Sequence, residues 1–219
     1  MEEFLPVLQK SSLFGGIDAK DILDILSHTG YTLRNYKKSE VLILSGYEYR
    51  EIGILLSGEI EAVKQSEGGD VFTISRISKS GIFCDVLSGS HHIKSPVTVS
   101  ARCNCCAIYI PYNRLFAPLN VQSLAASRLL QNLVGTISDK YFELDKRLSL
   151  VLLKSLRAKI LRYLNGLSKK AECREFTVPF TRTAMANYLG CERSALSREL
   201  SRMQKDGIIN IDKNKFTLL

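Results

Sequence analysis

The chain has 219 residues, of which 45% are hydrophobic and 24% are charged, a balance typical of a folded protein with a sizeable core. No apolar run approaches the ~18 residues that a membrane span requires, and Glu2 and Glu3 stand where a secretory signal would carry Lys or Arg. These features exclude a membrane protein and lead us to expect a cytoplasmic one.

The net charge of +8 lies entirely in the last third of the chain. Residues 151–219 contain 14 Lys and Arg against 6 Asp and Glu, whereas residues 1–150 contain 16 of each kind. A basic C-terminal region favours a partner that carries phosphates, because Lys and Arg displace the counterions condensed on nucleic acid. On charge alone, a basic domain without such a partner is the alternative.

In the first two thirds of the chain, a helical pattern is followed by a β-rich one. Residues 3–30 predict short helices that end at Gly30, because apolar residues recur there at helical spacing, namely Ile17, Ile22, Ile25 and Leu26. Short β-rich runs separated by glycines then cover residues 40–44, 52–56, 60–63, 72–77, 97–101 and 106–110. Short strands at this spacing indicate a compact antiparallel sandwich or barrel.

A long proline-free helix is predicted over residues 119–148. Its apolar stripe consists of Leu119, Leu124, Leu130, Leu133, Val134, Ile137, Tyr141, Leu144 and Leu148. A helix of about 45 Å is too long to be covered by the β-rich region alone, so its expected partner is the same helix of a second subunit, with Leu133 and Ile137 at the seam. Burial within its own monomer is the alternative. A second helix is predicted over 149–167, followed by a polar loop over 168–175.

The last 40 residues predict a helix-turn-helix followed by a β-hairpin wing. The first helix begins after a Thr181 cap and ends at Gly190, and the second covers 192–203. On the second helix Leu196, Leu200 and Met203 face the core, while the opposite face carries Ser194, Ser197, Arg198, Ser201 and Lys205. A small, hydroxylated and basic face fits a major groove about 12 Å wide. With a hairpin over 208–219, this order predicts DNA binding.

Three segments resemble the cyclic-AMP receptor protein and fumarate-nitrate regulator (Crp/Fnr) family of transcription regulators. They are residues 13–17 (LFGGI), 54–60 (ILLSGEI) and 189–198 (LGCERSALSR), the last being the most specific. The resemblance implies an α+β fold with an effector-sensing β-roll over 1–118, a dimerisation helix over 119–148 and a winged helix-turn-helix over 149–219. It also implies a homodimer that reads a palindromic site and contacts RNA polymerase.

The resemblance assigns DNA contacts to the recognition region. Arg193 and Arg198 stand where the family places arginines that contact guanine, and Ser194 departs from the family's usual Glu, so we expect a different operator. The expected DNA-binding residues are Thr181, Arg182, Thr183, Arg193, Ser194, Ser197, Arg198, Ser201 and Arg202. Of these, Thr181, Arg182 and Thr183 match the phosphate-touching region, and Arg202 is rotated towards the DNA backbone.

The family's cyclic-nucleotide pocket is poorly matched. It requires a Gly-Glu pair and an Arg ten residues after that Glu, whereas this chain has Cys84-Asp85 and Ser95. Lys94 is one position away and is expected on the wrong face of its strand. Asp85, Lys94 and Ser95 are therefore the candidate effector residues of an unknown small molecule other than cyclic AMP, bound between the roll and the long helix.

The thiol cluster Cys103, Cys105 and Cys106 raises a redox or metal alternative. Zinc and iron-sulfur sites usually separate their cysteines by two or more residues, so we interpret these as buried free thiols and expect no metal. The N-terminal cysteines of fumarate-nitrate regulators are absent, since the first cysteine is Cys84. His91 and His92 are interpreted as solvated loop residues.

An effector-controlled transcription regulator is thus the leading hypothesis. An enzyme fused to a DNA-binding module is disfavoured, because the sequence has no phosphate loop, nucleophile elbow or histidine-rich metal signature. Two alternatives remain: a cyclic-nucleotide-binding-like regulatory module that acts through protein partners, and a thiol-based redox regulator.

Overall fold

The computed structural model describes residues 1–66, 68–69, 71–89, 94–116 and 124–219. By their internal contacts these residues form two compact units, Met1–Asp139 and Lys140–Leu219. The sequence predicts three parts, and the boundary at residues 118 and 119 lies outside the described residues, so that division stays a prediction. No helix in the described ranges is both long and apolar enough to cross a membrane.

The first unit contains the predicted β-roll. Its strands are β1 (Thr32–Tyr36), β2 (Val41–Ile43), β3 (Glu51–Ser57), β4 (Glu59–Gln65), β5 (Val71–Ser78), β6 (Ile82–Phe83), β7 (Thr98–Ala101) and β8 (Cys105–Pro111). Within the described residues they form two four-stranded antiparallel sheets, ordered β1-β8-β3-β6 and β2-β7-β4-β5. The antiparallel roll is confirmed, and the sequence missed β1 and β6.

Strands β3 and β8 are buried on both faces because the roll has two cores. Ile54 of β3 and Ile108 of β8 pack into one core with the N-terminal helices, while Leu55 and Tyr109 point into the core between the two sheets. Successive side chains of a strand alternate between faces, so a strand between two cores reads as a continuous apolar run. These two strands therefore hold the roll together.

Short helices cover the N-terminal face of the roll. A 3-10 helix (Glu2–Phe4) leads into α1 (Leu5–Gln9) and α2 (Ala19–Thr29), and two further short helices are α3 (Asp85–Ser88) and α4 (Tyr112–Phe116). Helix α2 buries Ile22, Ile25 and Leu26 on one face, as its spacing predicts.

The long helix α5 (Leu124–Val151) is confirmed, although its predicted end is wrong. It continues past residue 148, and the next helix, α6 (Leu156–Ala171), begins seven residues later than predicted. The start of α6 is set by Ser155, whose hydroxyl accepts a hydrogen bond from the Ala158 backbone at 3.1 Å. The predicted start at Leu119 lies outside the described residues.

The apolar stripe of α5 divides into two parts. Ala126, Leu129 and Leu133 are buried, and the two leucines belong to the core that includes α2 and β3. A second set is exposed and lies at spacings of four and three residues around the half-buried Ile137, namely Leu130, Val134, Tyr141, Leu144 and Leu148. The prediction that Leu133 lies at a subunit seam is therefore wrong, because its side chain fills the core of its own unit.

Helix α5 also binds the residues 13–17 loop through a single amide. The Asn132 Nδ2 group donates to the backbone oxygens of Leu13 at 3.0 Å and Gly15 at 2.8 Å. One side chain thus satisfies two carbonyl groups of an irregular segment. This contact, together with the buried leucines, fixes which face of α5 is turned to the roll.

The second unit is a helical module completed by a small sheet. Its elements are the end of α5, α6, β9 (Glu175–Thr177), α7 (Arg182–Leu189), α8 (Arg193–Lys205), β10 (Ile209–Asp212) and β11 (Lys215–Leu218). The predicted two-stranded wing is a three-stranded sheet in the described residues, ordered β10-β11-β9, because Phe216 of β11 pairs with Phe176 of β9. The predicted polar loop is wrong up to Ala171, which still belongs to α6.

Gly53 is a position where the roll admits no side chain. A Cβ atom there would lie far inside van der Waals contact of the Phe83 ring, which is buried and packs edge-on against Tyr109 at 5.6 Å between ring centroids. We expect Gly53→Ala to lower the free energy of unfolding by about 1 to 3 kcal/mol, because overpacking a fixed ring displaces its neighbours. Urea denaturation followed by circular dichroism measures the change.

Gly135→Ala is the matched control for this substitution. Gly135 is exposed within α5, and an added Cβ meets no atom within 4 Å. The same methyl group should there raise the free energy of unfolding by about 0.5 to 1 kcal/mol through helix propensity. Equal effects of the two changes would contradict the packing argument.

Candidate nucleic-acid interface and effector site

Helices α7 and α8 form the predicted helix-turn-helix. The Thr181 hydroxyl caps α7 by accepting from the Ala184 backbone at 3.2 Å, and Gly190 ends the helix in the left-handed region at φ 64°. Glycine has no Cβ atom and therefore adopts the left-handed conformation without a steric cost. The tight turn at Gly190 then lets α8 begin at Arg193.

An aromatic cluster seats α7 on α6. The rings of Phe180 and Tyr188 lie 6.1 and 5.3 Å from the ring of Tyr163, measured between centroids. Burial raises the pKa of the Tyr163 hydroxyl. Because Phe180 precedes α7 and Tyr188 lies in its last turn, the cluster holds both ends of the first helix of the motif against α6.

The exposed face of α8 is the one that the sequence predicts. Leu196, Leu200 and Met203 are buried in the core of the second unit. The remaining predicted contacts are exposed together on the other side, namely Arg193, Ser194, Ser197, Arg198, Ser201 and Arg202. The Ser201 hydroxyl donates to the Ser197 carbonyl at 3.1 Å, so its oxygen remains available as an acceptor.

Arg182 has a different environment from its neighbours Thr181 and Thr183, which are exposed. Its Nη2 donates to the Lys213 carbonyl at 3.2 Å, and its guanidinium lies 4.9 Å from the centroid of the Phe216 ring. Burial lowers the pKa of this group. Arg182 therefore joins α7 to the wing, while Thr181 and Thr183 are open to solvent.

An ion network at the back of α8 was missed by the sequence reasoning. Arg157 of α6 binds Glu199 with Nε to Oε1 at 2.6 Å and Asp206 with Nη1 to Oδ2 at 2.8 Å. Its hydrogen bonds to Glu199 and then Asp206 raise the pKa of the guanidinium. Glu199 also lies 3.7 Å from Nη1 of Arg202, a predicted DNA contact. The signal in the sequence that could have indicated this network is Glu199, an acidic residue inside a basic helix.

The candidate effector residues lie in the roll, but they do not share one environment. Asp85 begins α3 and is 2% exposed, and it follows Cys84 in the left-handed region at φ 63°. Ser95 is also buried, and its hydroxyl donates to the Val97 carbonyl at 2.7 Å. Lys94 is exposed and forms an isolated β-bridge with Glu48, in contrast to the buried Ser95. His91 and His92 lie outside the described residues.

The three cysteines of the cluster differ in their exposure to solvent. Cys103 is exposed, Cys105 is buried and Cys106 is half-buried, so the prediction of buried thiols is wrong for Cys103. Burial raises the pKa of the Cys105 and Cys106 thiols, which lowers the thiolate fraction needed for metal binding or oxidation. In the described part of the chain, no three His, Cys, Asp or Glu side chains are grouped so as to hold a metal ion.

Two protein-family models match this chain in the same order as its two folded parts. A cyclic nucleotide-binding domain matches residues 33–120, and a Crp-like helix-turn-helix domain matches residues 158–219. The chain belongs to the Crp/Fnr family. It is a DNA-binding transcription regulator, as the family resemblance of the recognition helix implies.

Known Crp/Fnr proteins resemble the chain over most of its length. The regulatory protein HlyX of Actinobacillus pleuropneumoniae is 26% identical over 83% of this chain and 75% of its own length. The transcriptional activator protein FnrA of Stutzerimonas stutzeri is 24% identical over 91% of this chain and 80% of its own. These relatives are transcription regulators and not enzymes.

Solved structures share the fold of this Crp/Fnr chain. The c-di-GMP responsive global regulator CLP of Xanthomonas campestris superposes with a TM-score of 0.64 at 21% identity, covering 92% of this chain and 99% of its own. The catabolite activator protein of Thermus thermophilus gives 0.57 at 17% identity, covering 95% and 94%.

Arg198 and Arg202 should make different kinds of contact with DNA. Arg198 lies with Ser194 and Ser201 opposite the buried leucines, where a guanidinium reaches the O6 and N7 atoms of guanine. We expect Arg198→Ala to cost about 1 to 3 kcal/mol per half-site and to relax the preference at one base pair. Arg202→Ala should weaken all sequences alike and reduce the salt slope by about one unit per subunit.

Binding of both variants to DNA selected from a random pool, at several salt concentrations, measures this difference. A uniform loss for Arg198→Ala together with a changed base preference for Arg202→Ala would show that α8 is rotated from the orientation argued above.

Proposed function

We propose that this regulator works as a homodimer that binds a palindromic operator and responds to a small-molecule effector. The observation that carries the proposal is the exposed apolar set on α5, which accompanies a helix-turn-helix with an exposed basic face. A two-fold axis along paired α5 helices would present two recognition helices to half-sites about 34 Å apart, one turn of DNA.

The exposed set on α5 has the spacing of a coiled-coil seam. From Leu130 to Leu148 the apolar positions follow steps of four, three, four, three and four residues, and Tyr141 and Leu144 are each more than 60% exposed. Such a repeat keeps one narrow stripe in line along a helix that packs against a copy of itself. Five large apolar side chains in one stripe are otherwise costly to leave in water.

Substitutions that introduce charges into this stripe test whether it forms the dimer interface. We expect Val134→Lys combined with Leu144→Lys to convert the dimer to monomer at micromolar concentration, because two unpaired charges would be buried at the seam. Sedimentation velocity measures the change. Asp139→Lys, exposed on the opposite face of α5, is the control and should leave a dimer. A wild-type chain that sediments as a monomer would refute the proposal.

Contact with RNA polymerase belongs to this proposal as well. It is supported by the family, whose named members include a transcriptional activator. A regulator that acts on promoter DNA works in the cytoplasm of a bacterial cell. Transcription in vitro from a promoter that carries the selected operator distinguishes activation from repression.

The effector is proposed to be a small molecule other than cyclic AMP. Asp85 is a shortened carboxylate where the family's pocket has Glu, and Ser95 offers a hydroxyl already bound to Val97 where the pocket has Arg. Because a hydroxyl carries no charge, a cyclic phosphate buried beside Ser95 would lose its solvation with no compensating charge from that position.

Calorimetry with cyclic AMP tests this proposal. We expect no binding with a micromolar dissociation constant, and Ser95→Arg is the complementary variant that should raise the affinity by supplying a charge. Because one related regulator is described as responsive to c-di-GMP, that dinucleotide is the second ligand to titrate. Micromolar binding of cyclic AMP to the wild type would show that another residue, such as Lys94, neutralises the phosphate.

A further inference from the structure

The recognition helix is held from behind by a single arginine of another helix. Arg157 stands on the first turn of α6 and contacts two carboxylates of the α8 region, Glu199 at 2.6 Å and Asp206 at 2.8 Å. These two acids are seven residues apart, which is about 10 Å along a helix. Arg157 therefore contacts α8 both near its middle and at its C-terminal cap.

Glu199 creates an electrostatic conflict on a helix that approaches DNA. Its side chain is only 15% exposed, and its two carboxylate oxygens face different cations: Oε1 is bound by Arg157 and Oε2 is 3.7 Å from Arg202. A carboxylate and a DNA phosphate compete for the same guanidinium, because both are bidentate oxygen acceptors. The side chain of Arg202 is 70% exposed, so it is accessible to either acceptor.

We propose that Arg157 is a positioning residue for DNA binding, which engages the Glu199 carboxylate and so leaves Arg202 available to a backbone phosphate. This inference rests on DNA binding by the recognition helix. It assigns to Arg157 a role through Glu199 and Arg202, without contact between Arg157 and DNA.

The distances show which of the two arginines binds Glu199 more strongly. The contact between Arg157 and Glu199 is within charge-assisted hydrogen-bond range, whereas that between Arg202 and Glu199 exceeds it. Removing Arg157 leaves Arg202 as the closest cation to Glu199 among the described residues. Arg202 would then move the short distance to Glu199, and its contact with a phosphate would be lost.

Binding to the DNA sequence selected by the wild type, at several salt concentrations, tests this role. We expect Arg157→Ala to lower affinity and to reduce the slope of log affinity against log salt by about one unit per subunit, as Arg202→Ala does. Adding Arg202→Ala to Arg157→Ala should then produce no further change in slope, because the same phosphate contact is already lost.

Glu199→Gln distinguishes this role from a purely structural one, because it should change the salt slope only if Glu199 competes with phosphate for Arg202. In the Arg157→Ala background it should restore the salt slope, because a neutral amide no longer competes for Arg202. Glu199→Gln alone should keep the wild-type slope. Failure of the double variant to recover, or a reduced slope for Glu199→Gln alone, would overturn the proposal in favour of a brace that only stabilises α8.

Arg162→Ala is the matched control, because Arg162 is exposed on the same helix α6 and its loss removes the same charge. It should retain the wild-type slope, and a loss as large as that of Arg157→Ala would show that net charge alone is responsible. A wild-type chain that selects no DNA sequence would refute the proposed function. Wild-type binding with an unchanged slope in Arg157→Ala refutes only the role of Arg157.

Discussion

The packing of Leu129 and Leu133 against the core of the roll determines how the rest of the first unit is used. Both side chains are fully or almost fully buried, and Asn132 between them binds two carbonyl groups of the preceding loop. Once one face of a helix is packed against a core, the direction of every other side chain on that helix is fixed. The exposed set that begins at Leu130 is therefore a consequence of the same packing that buries its neighbours.

The sequence was most informative where a single periodic pattern serves a single purpose. The buried positions of α8 could be predicted because its apolar side chains recur with the period of the helix, and β3 and β8 could be predicted because each is a short continuous apolar run. Helix α5 carries two apolar stripes of nearly the same spacing, one for the roll and one for a second surface. Periodicity alone cannot separate two such stripes, which explains the wrong placement of Leu133.

Other features lay beyond any local pattern. Strand β1 is exposed along most of its length and was missed because its register with β8 is set by partners between 69 (Tyr36 to Cys105) and 77 (Thr32 to Tyr109) residues away. The contact between Arg157 and Glu199 spans 42 residues and two helices, and neither residue is unusual in its own segment. For the DNA interface, the exposed residues could be predicted from the sequence and the family resemblance, whereas the ion pairs behind α8 depend on how distant segments pack together.

The hydrogen bonds of Asn132 also make the first unit sensitive to deamidation at this position. Its two N–H donors serve two carbonyl oxygens, and each of those oxygens would face another acceptor if the amide were hydrolysed to a carboxylate. Deamidation at this one position would therefore turn an attachment into a repulsion and release the loop of residues 13–17 from α5. Aspartate and asparagine are nearly equal in size, so the intolerance here is one of hydrogen-bond polarity and not of volume.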